Sequence, residues 1–209
     1  MWGRDAVRIP WNLRAKRIHR IEATVPNAVG RVATAVRSVL QGADLSGRPI
    51  LVLCIGTDRA TGDAFGPLVG SMLEESGLFG CTLLGTLEEP VHATNLAATL
   101  CRIRRNQPYP FILAVDACLG RPTSVGSIQV GQGSIQPGAG VQKGLDPVGD
   151  AFVLGVVNTA GFWGDALLQQ TRLSLVMRLA RATAAGIRLG LQLRVSGGRP
   201  SPPRQELIR

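Results

Sequence analysis

Aromatic residues are scarce in this chain of 209 residues, at 4% of the sequence, whereas hydrophobic residues make up 45% of it. The core must therefore consist mainly of Val, Leu, Ile and Ala, a composition that favours helices packed against a sheet. Long hydrophobic runs are lacking too: none approaches the ~18 residues of a membrane-spanning helix, and no signal peptide is recognisable. The length suits one domain. We expect one α/β domain with no membrane partner.

Cysteine pairs with the C-x-x-C spacing are absent. The four cysteines are Cys54, Cys81, Cys101 and Cys118. Cys54 and Cys81 lie in or beside apolar runs, where a thiol behaves as a small hydrophobic group. We therefore expect reduced cysteines and an intracellular, cytoplasmic protein.

Acidic residues are few, with 14 Asp and Glu against 23 Lys and Arg, and the formal net charge is +9. Much of the excess lies near the two ends of the chain, before residue 21 and after residue 198. Basic tails are usually solvated arms that attract phosphate without reading a sequence. We therefore expect no specific nucleic-acid partner.

The spacing of apolar residues predicts strands that alternate with helices. Unalternated apolar runs, as at residues 50–55, are typical of strands covered on both faces. The predicted helices span 26–42, 67–75, 92–105 and 164–185, and the predicted strands span 50–55, 82–84, 111–115 and 152–157. This alternation favours a doubly wound, mostly parallel sheet, in which the strands ending near Ile55 and Val115 are parallel neighbours.

Three regions follow from this pattern. They are a basic N-terminal arm over 1–25, a single α/β domain over 26–190, and a Pro/Arg/Gly tail over 191–209. The first twenty or so residues and the tail lack a periodic apolar face, so we expect them to pack little.

Two aspartates follow strong predicted strands. Asp63 ends the glycine-rich loop after strand 50–55, and Asp116 ends strand 111–115. Ligands of doubly wound sheets bind outside the carboxyl ends of the strands, so both should face one crevice. Two carboxyl groups held close together cannot both ionise cheaply; one then serves as an acid while the other draws a proton from water. Hydrolysis is the predicted reaction, although each aspartate could instead cap or brace its loop.

Further candidates for substrate binding or support are Gly56, Thr57 and Asp58, in the glycine-rich loop, and His92 and Asn95, which follow the predicted strand 82–84. The loop lacks the Gly-Lys-Ser/Thr ending of a P-loop and the G-x-G-x-x-G pattern, so a nucleotide site is not indicated. His92 could bind a metal with nearby carboxylates, act as a base for the thiol of Cys118, or lie in the first turn of a surface helix.

Two long motifs resemble the YyaC family of sporulation proteins. They read CIGTDRATGDAFGPLVG at residues 54–70 and GTLEEPVHATNL at residues 85–96. The resemblance covers roughly residues 47–185. That family is similar to germination protease and, more distantly, to hydrogenase maturation endopeptidases. The resemblance therefore implies a three-layer αβα fold of the phosphorylase/hydrolase-like type.

The resemblance also implies roles for the two aspartates. Asp63 matches the first essential aspartate of germination protease, and Asp116 matches the second. The segment PGAGV at residues 137–141 resembles a proline-glycine loop of that protease. Maturation endopeptidases use a histidine after the second carboxylate to recognise nickel, and this chain has no histidine after Asp116. The implied aspartate pair therefore needs no metal or other cofactor.

Three functional hypotheses remain open. The first is a sporulation-associated endopeptidase, in which the aspartate pair activates water against a protein or peptide substrate and Gly56 with its neighbours offers backbone donors to the oxyanion. The second is a non-catalytic binding or structural protein of the spore on the same fold. The third is a metal-dependent hydrolase that uses Asp63, Asp116 and His92. None of the three fixes an oligomeric state.

Overall fold

The computed structural model describes residues 18–78, 80–107, 109–137, 146–161 and 164–195. Six strands and five α-helices alternate within this part of the chain, which is an α/β fold. The strands are β1 (Ile18–Glu22), β2 (Ile50–Cys54), β3 (Thr82–Leu84), β4 (Phe111–Gly120), β5 (Ser127–Gln132) and β6 (Ala151–Thr159). The helices are α1 (Ala28–Gln41), α2 (Phe65–Glu75), α3 (Leu96–Asn106), α4 (Gly164–Gln169) and α5 (Leu173–Val195).

The six strands form one mixed sheet in the order β1-β5-β6-β4-β2-β3. β2 pairs in parallel with β3 and β4, and β4 pairs in parallel with β6. β5 is antiparallel to both of its neighbours, β1 and β6, so β1 points the same way as the other four strands. The register Cys54↔Val115 confirms the predicted parallel neighbours, and it aligns the carboxyl ends of β2 and β4.

The unalternated sequence of β2 reflects burial on both faces of the sheet. Ile50, Val52 and Cys54 pack in a core with residues of α1, α2 and α5. Leu51 and Leu53, which point the other way, pack in a second core with Leu96 and Ile103 of α3. Each face of β2 therefore lies in a core that includes helical residues. Within the described residues, no helix has both the length and the apolar character that crossing a membrane requires.

Two predicted helices differ from the observed ones. The helix predicted over 92–105 begins only at Leu96, because Asn95 holds the preceding residues in a turn: its Oδ1 accepts a hydrogen bond from the His92 N–H (2.8 Å) and its Nδ2 donates to the Pro90 carbonyl (2.9 Å). The single helix predicted over 164–185 is two helices, α4 and α5. At the break, the Thr171 hydroxyl donates a hydrogen bond to the Leu167 carbonyl (2.8 Å).

Two strands also differ from the predictions. β4 continues to Gly120, so Asp116 lies inside the strand and not at its end; β6 extends the pairing, with Asp116 opposite Leu154. β1 lies within the segment predicted to be a basic arm, where one buried residue, Ile21, gave too short an apolar pattern to recognise. At the other end, α5 runs to Val195, five residues beyond the predicted domain boundary.

Candidate active site

Asp116 is a buried carboxyl group on a central strand. Its side chain is 6% exposed, and Oδ1 accepts a hydrogen bond from the Ala117 N–H (2.8 Å). Since Cys54 is opposite Val115, Asp116 lies level with Ile55, where β2 ends and its loop begins. The buried carboxyl group of Asp116 therefore belongs to a residue level with the start of the loop that carries Asp63.

The loop after β2 folds back on itself because glycine occupies its first position. Gly56 has a φ of +140°, and a Cβ there would lie 2.1 Å from the Asp63 carbonyl oxygen. At the start of α2, a Cβ on Gly66 would lie 2.0 Å from the Ile55 carbonyl oxygen. Neither approach is possible for another residue. The two glycines therefore bring Asp63, which is partly buried, close to the end of β2.

The two aspartates interact electrostatically. The pKa of Asp116 is raised well above the usual carboxyl value, first by burial and second by the charge of Asp63, while the Ala117 N–H acts in the opposite direction. Both raising effects favour the neutral form of the Asp116 carboxyl. The site therefore combines a buried carboxyl group that favours its neutral form with a second, partly buried carboxyl group. An unequal pair of this kind can supply an acid and a base.

The other residues proposed for the site make local contacts. Thr57 Oγ1 accepts a hydrogen bond from the Arg59 N–H (3.3 Å), and Asp58 is exposed in the same turn. The amide of Asn95 is engaged with the backbone of residues 90 and 92, as described above. His92 follows Val91, which bridges Ile55 in the sheet, and its Nδ1 lies 2.9 Å from Thr94 Oγ1. The Gly56 N–H donates to the Val91 carbonyl (2.8 Å). That Gly56 and its neighbours offer backbone donors to an oxyanion stays a prediction.

Metal and thiol chemistry find no support in the described residues. No group of three or more His, Cys, Asp and Glu side chains that could hold a metal ion occurs among them, so Asp63, Asp116 and His92 do not form a ligand cluster. Burial, and then the charge of Asp116, raises the pKa of Cys118 to about 12. A thiol with so high a pKa stays protonated near neutral pH and is a poor nucleophile.

A polar junction that the sequence analysis missed connects the loop of Asp63 to the rest of the fold. Asn158, near the end of β6, donates from Nδ2 to the Leu167 carbonyl (2.9 Å) and to Thr171 Oγ1 (3.2 Å). Thr171 Oγ1 donates to the same carbonyl (2.8 Å), and this hydrogen bond lies at the end of α4. The next carbonyl, that of Leu168, accepts from the Gly62 N–H (2.8 Å). The sequence signal for this junction was the position of Asn158 directly after the apolar run at residues 152–157.

The segment PGAGV lies largely outside the described residues, which end at Pro137 in this region.

A family model described as "Protein of unknown function (DUF1256)" matches residues 20–186. The chain is also 45% identical over 172 residues to the uncharacterized protein YyaC of Bacillus subtilis (strain 168), a match that covers 81% of this chain and 84% of that protein.

Proposed function

The chain belongs to the DUF1256 family, and we propose that it is an endopeptidase in which Asp63 and Asp116 activate a water molecule. The observation that carries the proposal is the coupling between a buried carboxyl group and a second carboxyl group beside it. We further propose that the helices and sheet form the three-layer arrangement of the germination-protease type, to which the motifs around both aspartates are similar.

The two carboxyl groups take different roles because their surroundings differ. Asp116, whose raised pKa keeps it protonated, donates its proton to the carbonyl oxygen of the scissile peptide. Asp63 takes a proton from the water as the water oxygen attacks the carbonyl carbon. The tetrahedral intermediate carries two hydroxyl groups. As it collapses, the proton held by Asp63 passes to the leaving amine, and one hydroxyl returns a proton to Asp116 while the new carboxylic acid forms. No bond to the enzyme forms at any step, and the overall reaction consumes one water.

The biological setting is also part of the proposal. The motifs at residues 54–70 and 85–96 resemble a family of sporulation proteins, so we propose a cytoplasmic enzyme of the sporulating cell or spore that cleaves protein or peptide substrates. No metal, cofactor or nucleic acid enters the proposed reaction.

The test is to replace each aspartate with asparagine, which preserves shape and removes the titrating oxygen. Peptide hydrolysis by Asp63→Asn or Asp116→Asn should fall by roughly 100- to 10,000-fold, the loss expected when a positioned acid or base is removed. Glu75→Gln is the matched control, because Glu75 is an exposed carboxylate at the end of α2, outside the predicted site. It should retain the native rate. Full activity in either site variant would refute the mechanism, and a native protein that cleaves no peptide would favour the non-catalytic binding hypothesis.

A further inference from the structure

A groove lies at the same edge of the sheet as the aspartates. Its volume is about 780 Å³. One wall is the loop between β1 and α1 together with the first residues of α1, and the other is the first turns of α5. The residues that matter here are Val25 and Val29 on one wall and Leu173, Met177, Arg178 and Arg181 on the other. Since β1 and β6 point the same way, the loop after β1 and the helices after β6 both begin at the carboxyl edge. Ligands of such sheets bind at this edge.

Apolar side chains in the groove are open to solvent. Leu173 is 58% exposed and Val29 is 37% exposed, and both are among the few large hydrophobic side chains exposed in the described part of the chain. Leu173, Met177 and Arg181 are spaced by four residues, so they lie along one face of α5. The inner face of α5, which includes Val176 and Leu179, is fully buried in the core. The face of α5 that lines the groove is therefore a second apolar strip, and the cation of Arg181 lies at its end.

The charge of the groove has one sign. Arg178 and Arg181 are exposed and form no ion pair within the described part of the chain. The described lining residues include no Asp or Glu. They also include no aromatic side chain on which a nucleobase could stack. Aliphatic side chains beside two arginines are complementary to a peptide in which apolar residues are flanked by carboxylates.

The groove is connected to the loop of Asp63 through the junction of α4 and α5. Leu173 begins α5 two residues after Thr171. Thr171 Oγ1 lies 3.0 Å from the position that a Cβ on Gly62 would occupy, and Gly62 precedes Asp63. A polypeptide in the groove would therefore lie beside the loop that carries one of the two aspartates.

We propose that this groove binds an acidic, apolar-anchored segment of the polypeptide on which the protein acts. The binding follows from the groove alone, whereas calling the bound segment a substrate rests on the proposed function. Arg178 and Arg181 steer the carboxylates, and the strip of Leu173 and Met177 with Val29 receives the apolar side chains.

The experiment measures fluorescence anisotropy of a short labelled peptide, with leucines flanked by glutamates, on the full chain carrying Asp116→Asn so that no cleavage occurs. Adding Arg178→Glu and Arg181→Glu should weaken binding by about tenfold or more, because two attractions become repulsions. The matched control is Arg104→Glu with Arg105→Glu, the same charge change at exposed positions of α3. The control should leave the affinity unchanged, and circular dichroism checks that both variants fold.

Two altered peptides test whether the carboxylates and the apolar side chains of the ligand are both needed for binding. Replacing the glutamates with glutamine, or the leucines with serine, should each abolish most of the binding. Three outcomes overturn the inference: equal binding of the glutamine peptide, equal loss in the α3 control, or equally tight, arginine-dependent binding of a single-stranded oligonucleotide. Peptide binding without hydrolysis by the native chain counts against the proposed function alone. Hydrolysis that is insensitive to both groove arginines counts against the groove alone.

Discussion

Asp116 is a buried carboxyl group whose ionisation is penalised by its surroundings. Its carboxyl group is buried, and the nearby charge of Asp63 adds to the penalty of ionising it. The Ala117 N–H offsets only part of that penalty, because the pKa remains raised. A hydrophobic residue or an asparagine would avoid the penalty. The position therefore has a measurable thermodynamic consequence that does not depend on knowing a substrate.

The stability of the native protein should depend on the protonation of Asp116. In the unfolded chain this group titrates near the ordinary aspartate value, about 3.9, but in the folded state it holds its proton to higher pH. Its contribution to stability is fully present below the unfolded pKa and is lost as pH rises towards the folded pKa. We expect Asp116→Asn to match the native protein at pH 4 and to be more stable at pH 7. Urea unfolding across that range measures the difference.

The exposed Glu75 again provides the control, because Glu75→Gln removes an equal charge outside the buried environment. Its stability should follow that of the native protein at every pH. If Asp116→Asn lowers stability at neutral pH, then burial and the charge of Asp63 do not act on this carboxyl group as described. That result would remove the support that the raised pKa gives to the acid role.

At the scale of elements, the junction between α4 and α5 positions the loop of Asp63. The Leu167 carbonyl accepts hydrogen bonds from the side chains of Asn158 and Thr171, and the Leu168 carbonyl accepts one from the Gly62 N–H. Asn158→Ala removes the amide that links the end of β6 to this junction. Losing a partly buried hydrogen-bond group typically costs ~1–3 kcal/mol of unfolding free energy. Because Gly62 precedes Asp63, the aspartate should also move away from Asp116.

The readout that separates positioning from plain destabilisation is the pKa of Asp116, followed by carbon NMR titration. We expect this pKa to fall towards the ordinary value in Asn158→Ala, since the charge of Asp63 helps to raise it. Gln132→Ala is the control: its Nε2 also donates to a backbone carbonyl, that of Val39 (3.2 Å), on another part of the fold. It should cost stability and leave the pKa unchanged. Equal titration of all three proteins would exclude positioning by Asn158.

Apolar spacing predicted those helices and strands whose boundaries depend on apolar burial alone. The runs of β2 and β4 are buried on both faces, and the sequence analysis found both strands and their parallel pairing. The start of α3 and the break before α5 depend on side-chain hydrogen bonds of Asn95 and Thr171. Such bonds compete with helical ones and leave the apolar period unchanged. Periodicity therefore extended both helices through residues where the backbone turns.

The sequence predicted that Asp63 and Asp116 lie near each other, which agrees with their electrostatic interaction, but it did not predict the groups that support them. Asp63 and Asp116 were identified because each follows a strong strand and lies in a recognisable motif. The strand β4 runs past Asp116 because β6 continues to pair with it, a tertiary contact that no local pattern reveals. Likewise, the use of the Gly56 N–H by Val91 depends on two segments that are far apart in sequence.

At the scale of the whole molecule, the structure places five residues of the predicted basic arm in the sheet. Residues 18–22 are β1, an edge strand that pairs with β5 over five residues, from Ile18↔Gly131 to Glu22↔Ser127. Ile21 contributes a buried side chain to the core, and Arg20 donates a hydrogen bond to the Thr123 carbonyl. Residues 1–17 lie outside the described part of the chain and carry five Lys and Arg against one acidic residue.

Two truncations should therefore separate charge from stability. Deleting residues 1–17 removes a net positive charge from the chain, so affinity for a mixed-sequence DNA duplex should fall and its salt dependence should become shallower, because fewer phosphate counterions are released. Unfolding in urea should change little. Deleting residues 1–22 also removes β1, which uncovers the backbone of β5 as a new sheet edge and takes Ile21 out of the core. This second variant should lose stability and tend to aggregate through the exposed edge. Sequence-selective, salt-resistant DNA binding by the shorter truncation would contradict the expectation that the arm attracts phosphate only through its charge.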